Sequence, residues 1–474
     1  TVECCALWRG WFQGIPMKAI ICGGGQVGSS IARELASERV DVTVIDQSPE
    51  LIRRIRDTLD VTTMIGFASH PDVLEAAGAR DADMIVAVTF ADEVNMIACQ
   101  VAHSLFDVPM KIARVRSQAY RNPIWADLFS RDHMPIDVII SPEIEVARAI
   151  SRRFTVPGSF EMIPLANNRL RLIGVRCEEE CPILNTPLRQ LTTLFPDLRL
   201  SIVGIIREGK PMVPTGDDHL EPGDEVYIVI DAEHVPRAMA AFGHEEQEAR
   251  RVIIIGGGNI GQSLAADIEE RFSGITARVI ELNKERAEEA ANALSKTNVI
   301  HGDALDPDIL AEAGVSKAST VVAITNDDEV NILASLLAKR YGAERAVTLV
   351  NSNTYNPLLA PLGIDVVVNP RVITVSTILQ IIRRGRIRSV HSIGENFGEV
   401  IEAEALETSS LVGKAIMDAK LPAGVIVASI LRDDQVLMVT KETVVNVGDR
   451  IVLFATKDAV RKVERMFAVS LEFF

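Results

Sequence analysis

The sequence predicts an α/β protein built as a tandem duplication, with two doubly wound parallel-sheet domains that are each followed by a small α+β module. Three observations support this prediction. An apolar run at 17–22 leads into a G-x-G-x-x-G pattern at 23–28, a near-copy recurs at 251–261, and many Val/Ile runs are continuously apolar. Continuously apolar strands are typical of parallel sheets that are buried on both faces.

Length and composition limit the possible architectures. A chain of 474 residues should form two to four domains, at roughly 100–200 residues per domain. We expect four domains after an N-terminal extension that precedes Met17 and is left out of the fold. The expected divisions are the extension 1–16, a parallel-sheet domain 17–155, a small module 156–243, a second parallel-sheet domain 250–386 and a second module 387–474.

Charge and hydropathy exclude several partner classes. The formal net charge of −16 argues against nucleic acid or an anionic membrane surface as the main partner, because phosphates would be repelled. Every apolar run is broken well before the roughly 20 residues that a membrane-spanning helix needs. We therefore expect a soluble, cytoplasmic protein that binds no nucleic acid.

The first glycine pattern lies between a predicted strand and a predicted helix. In that position Gly23 suits the tight turn, Gly25 lets a pyrophosphate approach the backbone, and Gly28 lets the helix pack closely on the strand. The helix N-terminus also offers unpaired N–H groups to an anion. These features predict a Rossmann-like domain whose first turn holds phosphates.

Further residues follow the predicted strands of this domain. Asp46 ends the second strand, 18 residues after Gly28, where a carboxylate accepts from ribose hydroxyls and repels a 2′-phosphate. This favours NAD(H) or ATP/ADP over NADP(H). Thr89 ends the fourth strand, either as a ligand or as an ordinary turn former. Period-two spacing places Arg114 and Arg116 on one face of the fifth strand; Arg114 could contact a phosphate or form a strand-edge ion pair.

The remaining first-half elements and their copies complete the repeat. Short β runs are predicted at Leu170–Val175, Leu200–Arg207 and Glu225–Ile230, which indicates a small α+β module. The second half then repeats the pattern at an offset near 233, since Gly256 follows Gly23 by 256 − 23 = 233 residues. Glu281 corresponds to Asp46 and Thr325 to Thr89. Such a long period with matched positions indicates duplicated two-domain units rather than a solenoid.

The two halves differ at their predicted sites. Gly302 is followed by Asp303, whereas Gly66 is followed by Phe67, so the first half lacks this carboxylate. Conversely, Leu349 aligns with Arg114, so the second half lacks this cation. A cation stabilises a bound polyphosphate. A carboxylate repels a polyphosphate unless the carboxylate contacts a ribose, an amine or a metal. We therefore expect the two sites to prefer different ligands.

The cysteines are predicted to be reduced. Cys22 lies in the first predicted strand and Cys99 in a predicted helix, as expected for core thiols of a cytosolic protein. Cys177 and Cys181 form a C-x-x-x-C pattern that is either half of a metal site or a pair of ordinary loop thiols. The second interpretation is favoured because no further Cys/His pair accompanies them.

Several motifs together resemble a known family. They are the V-x-x-T-x-x-D-E-x-N segments starting at Val86 and Val322, the loops at Gly66 and Gly302, the paired glycine turns and the small module after each half. In these features the chain from Met17 to its end resembles the RCK/KTN regulators of potassium transport.

This resemblance implies a regulatory role rather than catalysis. Such a protein binds NAD(H) or adenine nucleotides, ATP/ADP among them, and assembles as a homo-oligomer, here a dimer or tetramer of double units. It would lie on the inner face of the cell membrane beneath an integral-membrane potassium channel of the Trk type and transmit its nucleotide state to the gate. The small modules would be regulatory.

The resemblance also implies two sets of site residues. The first set is Gly23, Gly24, Gly25, Gln26, Val27, Gly28, Asp46, Thr89, Phe90 and Arg114. The second set is Gly256, Gly257, Gly258, Asn259, Ile260, Gly261, Glu281, Asp303, Thr325 and Asn326. No metal ligand and no catalytic residue is implied.

Two alternatives remain open. The first is an NAD-dependent dehydrogenase acting on a small substrate, which would need a proton-transfer group beside the nicotinamide. None of the eight histidines lies in a recognisable catalytic motif, so the regulator is favoured. The second concerns the arginines at 152–153 and 383–388. Both groups could simply complement helix C-termini, whereas those at 383–388 could instead form part of a partner-docking or hinge surface.

Overall fold

The computed structural model describes residues 17–37, 39–121, 123–130, 133–195, 198–244, 249–382, 387–394 and 397–467. The predicted extension 1–16 and the arginines at 383, 384 and 386 lie outside the described residues. Within the described chain, no helix combines the length and the apolar character that crossing a membrane would require.

The first domain is a parallel sheet covered by helices. Its strands β1 to β6 are Lys18–Cys22, Asp41–Asp46, Thr62–Ile65, Met84–Ala87, Met110–Arg114 and Val138–Ile140. Its helices α1 to α5 are Gln26–Ser37, Pro49–Thr58, Pro71–Ala76, Asp92–Phe106 and Pro142–Arg152. The strand order is β3-β2-β1-β4-β5-β6 with parallel neighbours, so the order reverses between β1 and β4, where ligands bind in doubly wound sheets.

The first small module is an antiparallel sheet with short helices. Its strands β7 to β11 are Ser159–Leu165, Leu170–Arg176, Leu200–Arg207, Lys210–Met212 and Glu225–Asp231, and its helices α6 and α7 are Leu188–Leu194 and Val235–Ala241. The strand order is β10-β9-β11-β8-β7. The sequence predicted β8, β9 and β11 but missed the edge strands β7 and β10, each of which contains a proline. Proline is tolerated at an edge because its missing N–H need not bond to a neighbour.

The second half repeats both architectures. Strands β12 to β17 are Arg251–Ile255, Thr276–Glu281, Asn298–His301, Thr320–Ala323, Ala346–Leu349 and Val366–Val368. Helices α8 to α13 are Asn259–Arg271, Lys284–Ala293, Pro307–Ala313, Asp328–Arg340, Asn356–Leu359 and Pro370–Ile382. The second module contains β18 to β22 and α14, which are Ile387–Ile393, Gly398–Glu404, Val425–Arg432, Gln435–Met438, Arg450–Thr456 and Lys457–Met466.

The sheet orders confirm the predicted duplication. The second parallel sheet has the order β14-β13-β12-β15-β16-β17, which copies the first strand for strand. The second antiparallel sheet has the order β18-β19-β22-β20-β21. This corresponds strand for strand to the first antiparallel sheet when its order is written in reverse, as β7-β8-β11-β9-β10. The predicted fold class, two Rossmann-like parallel-sheet domains each followed by a small α+β module, is therefore confirmed.

Local sequence explains where the helices begin. The Ser48 hydroxyl accepts from the N–H of Leu51 at 3.4 Å, and in the second half the Asn283 side chain accepts from the N–H of Arg286 at 2.9 Å. Such caps satisfy one of the N–H groups that a helix N-terminus leaves unpaired. The corresponding helices α2 and α9 therefore begin in the same way, with a serine as the capping residue in the first half and an asparagine in the second.

The described chain divides into two compact units. One unit contains the chain up to Val146 together with Pro370–Leu379, and the other contains the remainder. The divisions fall inside helices α5 and α13, so each of these helices begins in one unit and ends in the other. The first unit includes a segment from the second half of the chain, which the sequence did not predict.

Within the second unit, the two small modules share a hydrophobic core. Leu172, Val203 and Val229 of the first module pack in one cluster with Val400 and Phe454 of the second. Burial of apolar side chains contributes roughly 25 cal/mol per Å² of surface removed from water. The two antiparallel sheets therefore stabilise each other.

A buried carboxylate also connects the modules. Glu402, only 5% exposed, accepts from the N–H of Ala166 at 3.1 Å and from the Ser389 hydroxyl at 3.2 Å. The same residue lies 3.3 Å from the guanidinium of Arg450. A buried charge is stabilised only when its lone pairs are satisfied, and here both modules supply the partners.

Candidate nucleotide-binding sites

The first glycine turn is shaped by two glycines that no other residue could replace without movement. Gly23 has φ +112°, and a Cβ there would lie 3.0 Å from backbone atoms of Val88 and Thr89. A Cβ on Gly28 would lie 1.8 Å from the carbonyl oxygen of Gly23. These contacts let β1, β4 and α1 approach closely, and the start of α1 lies at the carboxyl edge of the sheet.

The turn leaves open space above Gly25. A Cβ on this residue would have no described atom within 4 Å. The N–H of Ser29 donates to the Gly25 carbonyl at 2.9 Å, so the helical bonding of α1 starts there. The N–H groups of the first helical turn have no partner within the helix, and with the helix dipole they favour an anion.

Asp46 fixes the second strand to the glycine turn. Its Oδ2 accepts from the N–H of Gly24 at 2.6 Å, and its Oδ1 accepts from the N–H of Ser48 at 2.8 Å. Each carboxylate oxygen has a second lone pair, so both remain able to accept from a ribose hydroxyl. The predicted carboxylate is therefore at the turn, and it also has a structural role there.

A buried asparagine joins the ends of β4 and β5. The Asn95 Oδ1 accepts from the N–H of Thr89 at 2.8 Å and from its hydroxyl at 2.7 Å, and its Nδ2 donates to the carbonyls of Thr89 at 3.2 Å and Arg114 at 2.9 Å. The Thr89 hydroxyl thus donates within the protein and keeps only acceptor capacity for a ligand. Asn95 was missed as a site residue, although its recurrence in both V-x-x-T-x-x-D-E-x-N segments was the signal.

Two arginines lie at the end of β5: Arg114 is its last residue, and Arg116 follows two positions later. Among the described residues, the buried Nε of Arg114 has no hydrogen-bond partner. Burial lowers the pKa of Arg114, and the neighbouring Arg116 lowers it further, while Glu143 and Asp92 oppose the shift. An anion at this point would supply the missing acceptor and offset the repulsion between the two arginines.

Arg116 contacts three residues around the first site. Its Nε donates to Glu143 at 2.9 Å, its backbone N–H donates to Asp92 at 2.9 Å, and its guanidinium lies 5.1 Å from the centre of the Phe90 ring. Phe90 is 85% exposed. An exposed aromatic ring at the end of β4 offers a stacking surface for a base, and a cation on its face stabilises its position.

Arg371 reaches the first turn from the second half of the chain. Its Nη2 donates to the side-chain oxygen of Gln26 at 3.0 Å, and Gln26 is the first residue of α1. Arg371 lies in the first turn of α13, within the same compact unit as this site. Sequence reasoning missed this residue because no local motif indicates which domain α13 packs against.

The second glycine turn repeats the first in detail. Gly256 has φ +110°, a Cβ on Gly261 would lie 1.9 Å from the Gly256 carbonyl oxygen, and a Cβ on Gly258 would have no described atom within 4 Å. The Glu281 Oε2 accepts from the N–H of Gly257 at 2.6 Å. Asn259 begins α8, followed by Ile260, so the same N-terminal groups face the open space.

The asparagine link is also duplicated. The Asn331 Oδ1 accepts from the N–H and the hydroxyl of Thr325, both at 2.8 Å, and its Nδ2 donates to the carbonyls of Thr325 at 3.1 Å and Leu349 at 3.0 Å. Both asparagines are fully buried. The same four bonds therefore recur in both halves, so they are part of the duplicated fold.

The two sites differ in their polar groups. Leu349 is buried at the position of Arg114, so the second site has no arginine at the end of this strand. Asp303 is exposed just after the end of β14, and its Oδ1 accepts from the N–H of Leu305 at 2.8 Å, which leaves the other carboxylate oxygen available. Phe67, its counterpart, is 54% exposed and stacks on His70. Asn326 is exposed at the end of β15.

These arrangements fit a nucleotide. The space above Gly25 and Gly258 accommodates a pyrophosphate against the backbone, and the orphaned Nε of Arg114 lacks an anionic acceptor. Asp46 and Glu281 lie at the ends of the second strands, where ribose hydroxyls are held in this fold. The residues present are therefore compatible with a dinucleotide or an adenine nucleotide in each half.

Fold and sites define a class of protein with two Rossmann-type nucleotide-binding domains, each carrying a small antiparallel module. The model of the TrkA-N domain matches residues 19–142 and 252–370, and that of the TrkA-C domain matches residues 172–243 and 400–468. The chain belongs to the TrkA family.

Relatives cover nearly the whole chain. It is 51% identical over 458 residues to the Trk system potassium uptake protein TrkA of Azorhizobium caulinodans, covering 97% of this chain and 100% of that protein. It is 39% identical over 462 residues to the protein of the same name from Halomonas elongata, again covering 97% and 100%. These relatives support the family assignment along the full duplicated architecture.

Solved structures resemble the fold at low identity. The GsuK RCK domain has a TM-score of 0.59 at 17% identity, covering 95% of each chain. The GsuK channel bound to NAD has a TM-score of 0.59 at 18% identity, covering 95% of this chain and 79% of that one. These similarities extend over the duplicated arrangement and support the RCK-like fold.

Proposed function

We propose that this chain is the nucleotide-sensing regulatory subunit of a Trk-type potassium-uptake system and is not an enzyme. It binds NAD(H), ATP/ADP or both, and gates an integral-membrane potassium channel to which it attaches from the cytoplasm as a homo-oligomer. The observation that supports this most directly is the pair of intact glycine turns, each with open space above its middle glycine. The names of the relatives supply the transport system.

Each part of a nucleotide has a candidate partner at the first site. The N–H groups at the start of α1 and the guanidinium of Arg114 would hold the phosphates, with Arg371 beside Gln26 as a further cation. Asp46 would accept from the ribose, and the exposed ring of Phe90 would contact the base. This site therefore favours a ligand with a high phosphate charge.

The second site has the opposite bias. It retains the glycine turn and Glu281, but Leu349 replaces the arginine and Asp303 adds a carboxylate. A carboxylate repels additional phosphates and accepts from ribose hydroxyls or from an amine such as that of adenine. We infer that the second site prefers a nucleotide with fewer charges, such as NAD(H), over ATP.

Helix α13 contains the residue through which we expect a nucleotide at the first site to act. Arg371, near its start, bonds to the first glycine turn, and the helix ends in the other compact unit, shortly before β18. A ligand shifts a conformational equilibrium only when it binds the two states with different affinities. A nucleotide that contacts Arg371 in only one of two conformational states meets this requirement.

Binding to the purified full chain tests the proposal. Nucleotides that co-purify should be identified by mass spectrometry, and NAD, NADH, ATP and ADP should be titrated calorimetrically. Arg114→Ala should weaken ATP more than NADH, and Asp303→Ala should do the reverse or leave ATP unchanged. Equal losses for every nucleotide in both variants would contradict the inferred inequality.

Transport measurements test the regulatory role. Nucleotide addition should change potassium flux through the partner channel in vesicles, and Arg371→Ala should reduce that change while leaving binding at the second site intact. Gly274→Ala serves as a control substitution, because a Cβ on Gly274 would have no described atom within 4 Å and the residue lies away from both glycine turns. Steady NADH oxidation with a small substrate would instead favour the dehydrogenase.

A further inference from the structure

Arg371 places a cation beside the start of a helix in the first site. Its Nη2 donates to the side-chain oxygen of Gln26 at 3.0 Å, and Gln26 is the first residue of α1. A helix N-terminus carries the positive end of the helix dipole, so it repels a guanidinium group. An anion bound close to both would offset this repulsion, and the position of Arg371 therefore suits a phosphate site.

Arginine is also unfavourable for the helix that carries it. Helices α5 and α13 begin with Pro142 and Pro370, and the next residue is Glu143 in α5 and Arg371 in α13. A helix N-terminus favours acidic side chains, so glutamate suits this position and arginine does not. Since the duplicated helix also begins with glutamate, the arginine is explained by what it contacts rather than by helix formation.

The other cations of the first site are accompanied by carboxylates. The Nε of Arg116 donates to Glu143 at 2.9 Å, and its backbone N–H donates to Asp92 at 2.9 Å. Asp92 and Glu143 are only 8% and 6% exposed, and both act to raise the pKa of Arg114. Two guanidinium groups and two carboxylates thus balance each other at the end of β5.

This group of four is poorly suited to a divalent cation. In nucleotide sites Mg²⁺ is bound by one or two carboxylates together with phosphates. One oxygen of Asp92 and one of Glu143 have no hydrogen-bond partner among the described residues. A dication bound to them would lie beside Arg114 and Arg116 and be repelled. Asp46, at the glycine turn, already accepts a backbone N–H with each oxygen.

We propose that the first site binds ATP without a divalent cation, because Arg371 supplies the positive charge that Mg²⁺ provides in many ATP sites. This inference rests on the proposed function, since it concerns the phosphates of the same nucleotide. In the part of the chain that the structure describes, no group of three or more His, Cys, Asp or Glu side chains is arranged to hold a metal ion.

The order of the strands indicates where the cations meet the phosphates. Strand β1 neighbours β4, and β4 neighbours β5, so the end of β5 lies roughly 10 Å from the end of β1 at about 4.8 Å per strand. A phosphate chain that starts at the glycine turn and extends across β4 therefore approaches Arg114. Arg371 remains at Gln26, beside the start of the chain. Each guanidinium fork can contact two phosphate oxygens.

The second site has no arginine at the corresponding strand end. Leu349 and Asn351 stand where the first site has its two arginines, and Asp328 and Asp303 are carboxylates. These carboxylates would repel additional phosphates unless a divalent cation lies between them. The two sites should therefore differ in their need for such a cation.

Calorimetric titration of ATP with and without Mg²⁺ tests the proposal. The full-length Gly258→Ala protein is used, so that the altered second turn does not contribute, and ATP is titrated once in EDTA and once in excess MgCl₂. We expect the affinity in EDTA to equal or exceed that in MgCl₂, because Mg²⁺ and arginine compete for the same phosphate oxygens. ATP that binds only with Mg²⁺, or at least about 10-fold more tightly with it, would overturn the proposal.

Arg371→Glu gives α13 the side chain that α5 has at the duplicated position. In EDTA this variant should bind ATP at least about 10-fold more weakly than the parent protein, because a hydrogen bond to a charged group is lost and a carboxylate is added. Excess MgCl₂ should restore most of the loss, since the new carboxylate and the phosphates together bind the cation. Unchanged ATP affinity in EDTA would overturn the role of Arg371.

Two further variants control for folding and for net charge. Arg371→Lys keeps a cation, so it should lose less affinity than Arg371→Glu and should not need MgCl₂. Arg340→Glu changes the net charge equally at an exposed residue that ends α11, in the other compact unit, and should leave both affinities unchanged. An equal loss in Arg340→Glu and Arg371→Glu would show that net charge, rather than Arg371, determines binding.

The outcomes separate this inference from the proposed function. Absence of ATP and NADH binding under both conditions would contradict the nucleotide site and the inference with it. ATP binding that requires Mg²⁺ would contradict only the independence from a divalent cation, and would leave the nucleotide site supported.

Discussion

Alanine substitutions at the first glycine turn should separate stability from ligand binding. In Gly28→Ala the new Cβ would lie 1.8 Å from the Gly23 carbonyl oxygen, against a usual separation of roughly 3.3 Å for such a contact, so α1 and β1 must move apart. Overpacking of this kind costs about 1–3 kcal/mol. In Gly25→Ala the Cβ has no described neighbour within 4 Å, so the free energy of unfolding should change by less than about 1 kcal/mol.

Gly25→Ala, which should hardly change stability, should nevertheless weaken nucleotide binding. The Gly25→Ala methyl group fills the space in which a pyrophosphate would meet the backbone. Loss of one hydrogen bond to a charged group costs about 1.5–3 kcal/mol, which corresponds to roughly 10- to 150-fold in affinity. Gly25→Ala should therefore bind NADH or ATP at the first site at least about 10-fold more weakly while remaining as stable as wild type.

Calorimetric titration and urea unfolding of the same preparations measure both quantities. Gly258→Ala and Gly261→Ala form the matched pair in the second half, where the closest Cβ contact of Gly261 would be 1.9 Å. The single and combined variants assign each binding event to one turn. Wild-type affinity and stoichiometry in Gly25→Ala with Gly258→Ala, or equal destabilisation by Gly25→Ala and Gly28→Ala, would refute this reasoning.

Three further predictions concern stability, and urea unfolding checks each. Asn95→Ala removes a buried side chain that makes four hydrogen bonds, and should cost about 2–4 kcal/mol; a loss below about 1 kcal/mol would contradict the link between strand ends. Glu402→Ala leaves Arg450 uncompensated and should cost about 3–5 kcal/mol, with a smaller loss for Glu402→Gln. Burial lowers the pKa of His391 from 6.5 to about 4, so stability should fall by up to about 3 kcal/mol as pH decreases through this window, and His391→Gln should reduce that dependence.

The direction of the pH effect follows from proton uptake. The unfolded chain protonates His391 near its ordinary pKa of 6.5, while the folded chain does so only near pH 4. Between these values the unfolded state binds more protons, so acid favours unfolding; above 6.5 both states are neutral at this residue and its contribution is constant. A His391→Gln protein with an unchanged acid limb would disprove the attribution.

The local part of each site could be predicted from sequence. Gly23, Gly25 and Gly28 require a strand, a tight turn and a helix in immediate succession, so their spacing defines the geometry without reference to distant residues. Asp46 follows the second strand of the same unit and is positioned by the parallel pairing of β1 with β2. The duplication repeated these signals in the second half and predicted its fold.

Contacts between distant segments could not be predicted in this way. Arg371 lies 345 residues from Gln26, yet the two side chains bond. Asn95 has a repeated motif, but its function as a link between strand ends depends on which carbonyls lie opposite it. The shared core of the two small modules similarly combines faces whose apolar pattern indicates burial without indicating the partner.

The sequence by itself determined the two Rossmann-like halves, the glycine turns and the inequality of their charged residues, because periodicity and turn chemistry are local properties. Only the tertiary structure decided that α13 contributes an arginine to the first site and that Glu402 joins the small modules. These features depend on packing between segments far apart in the chain, where many partners are chemically acceptable and only the folded arrangement selects one.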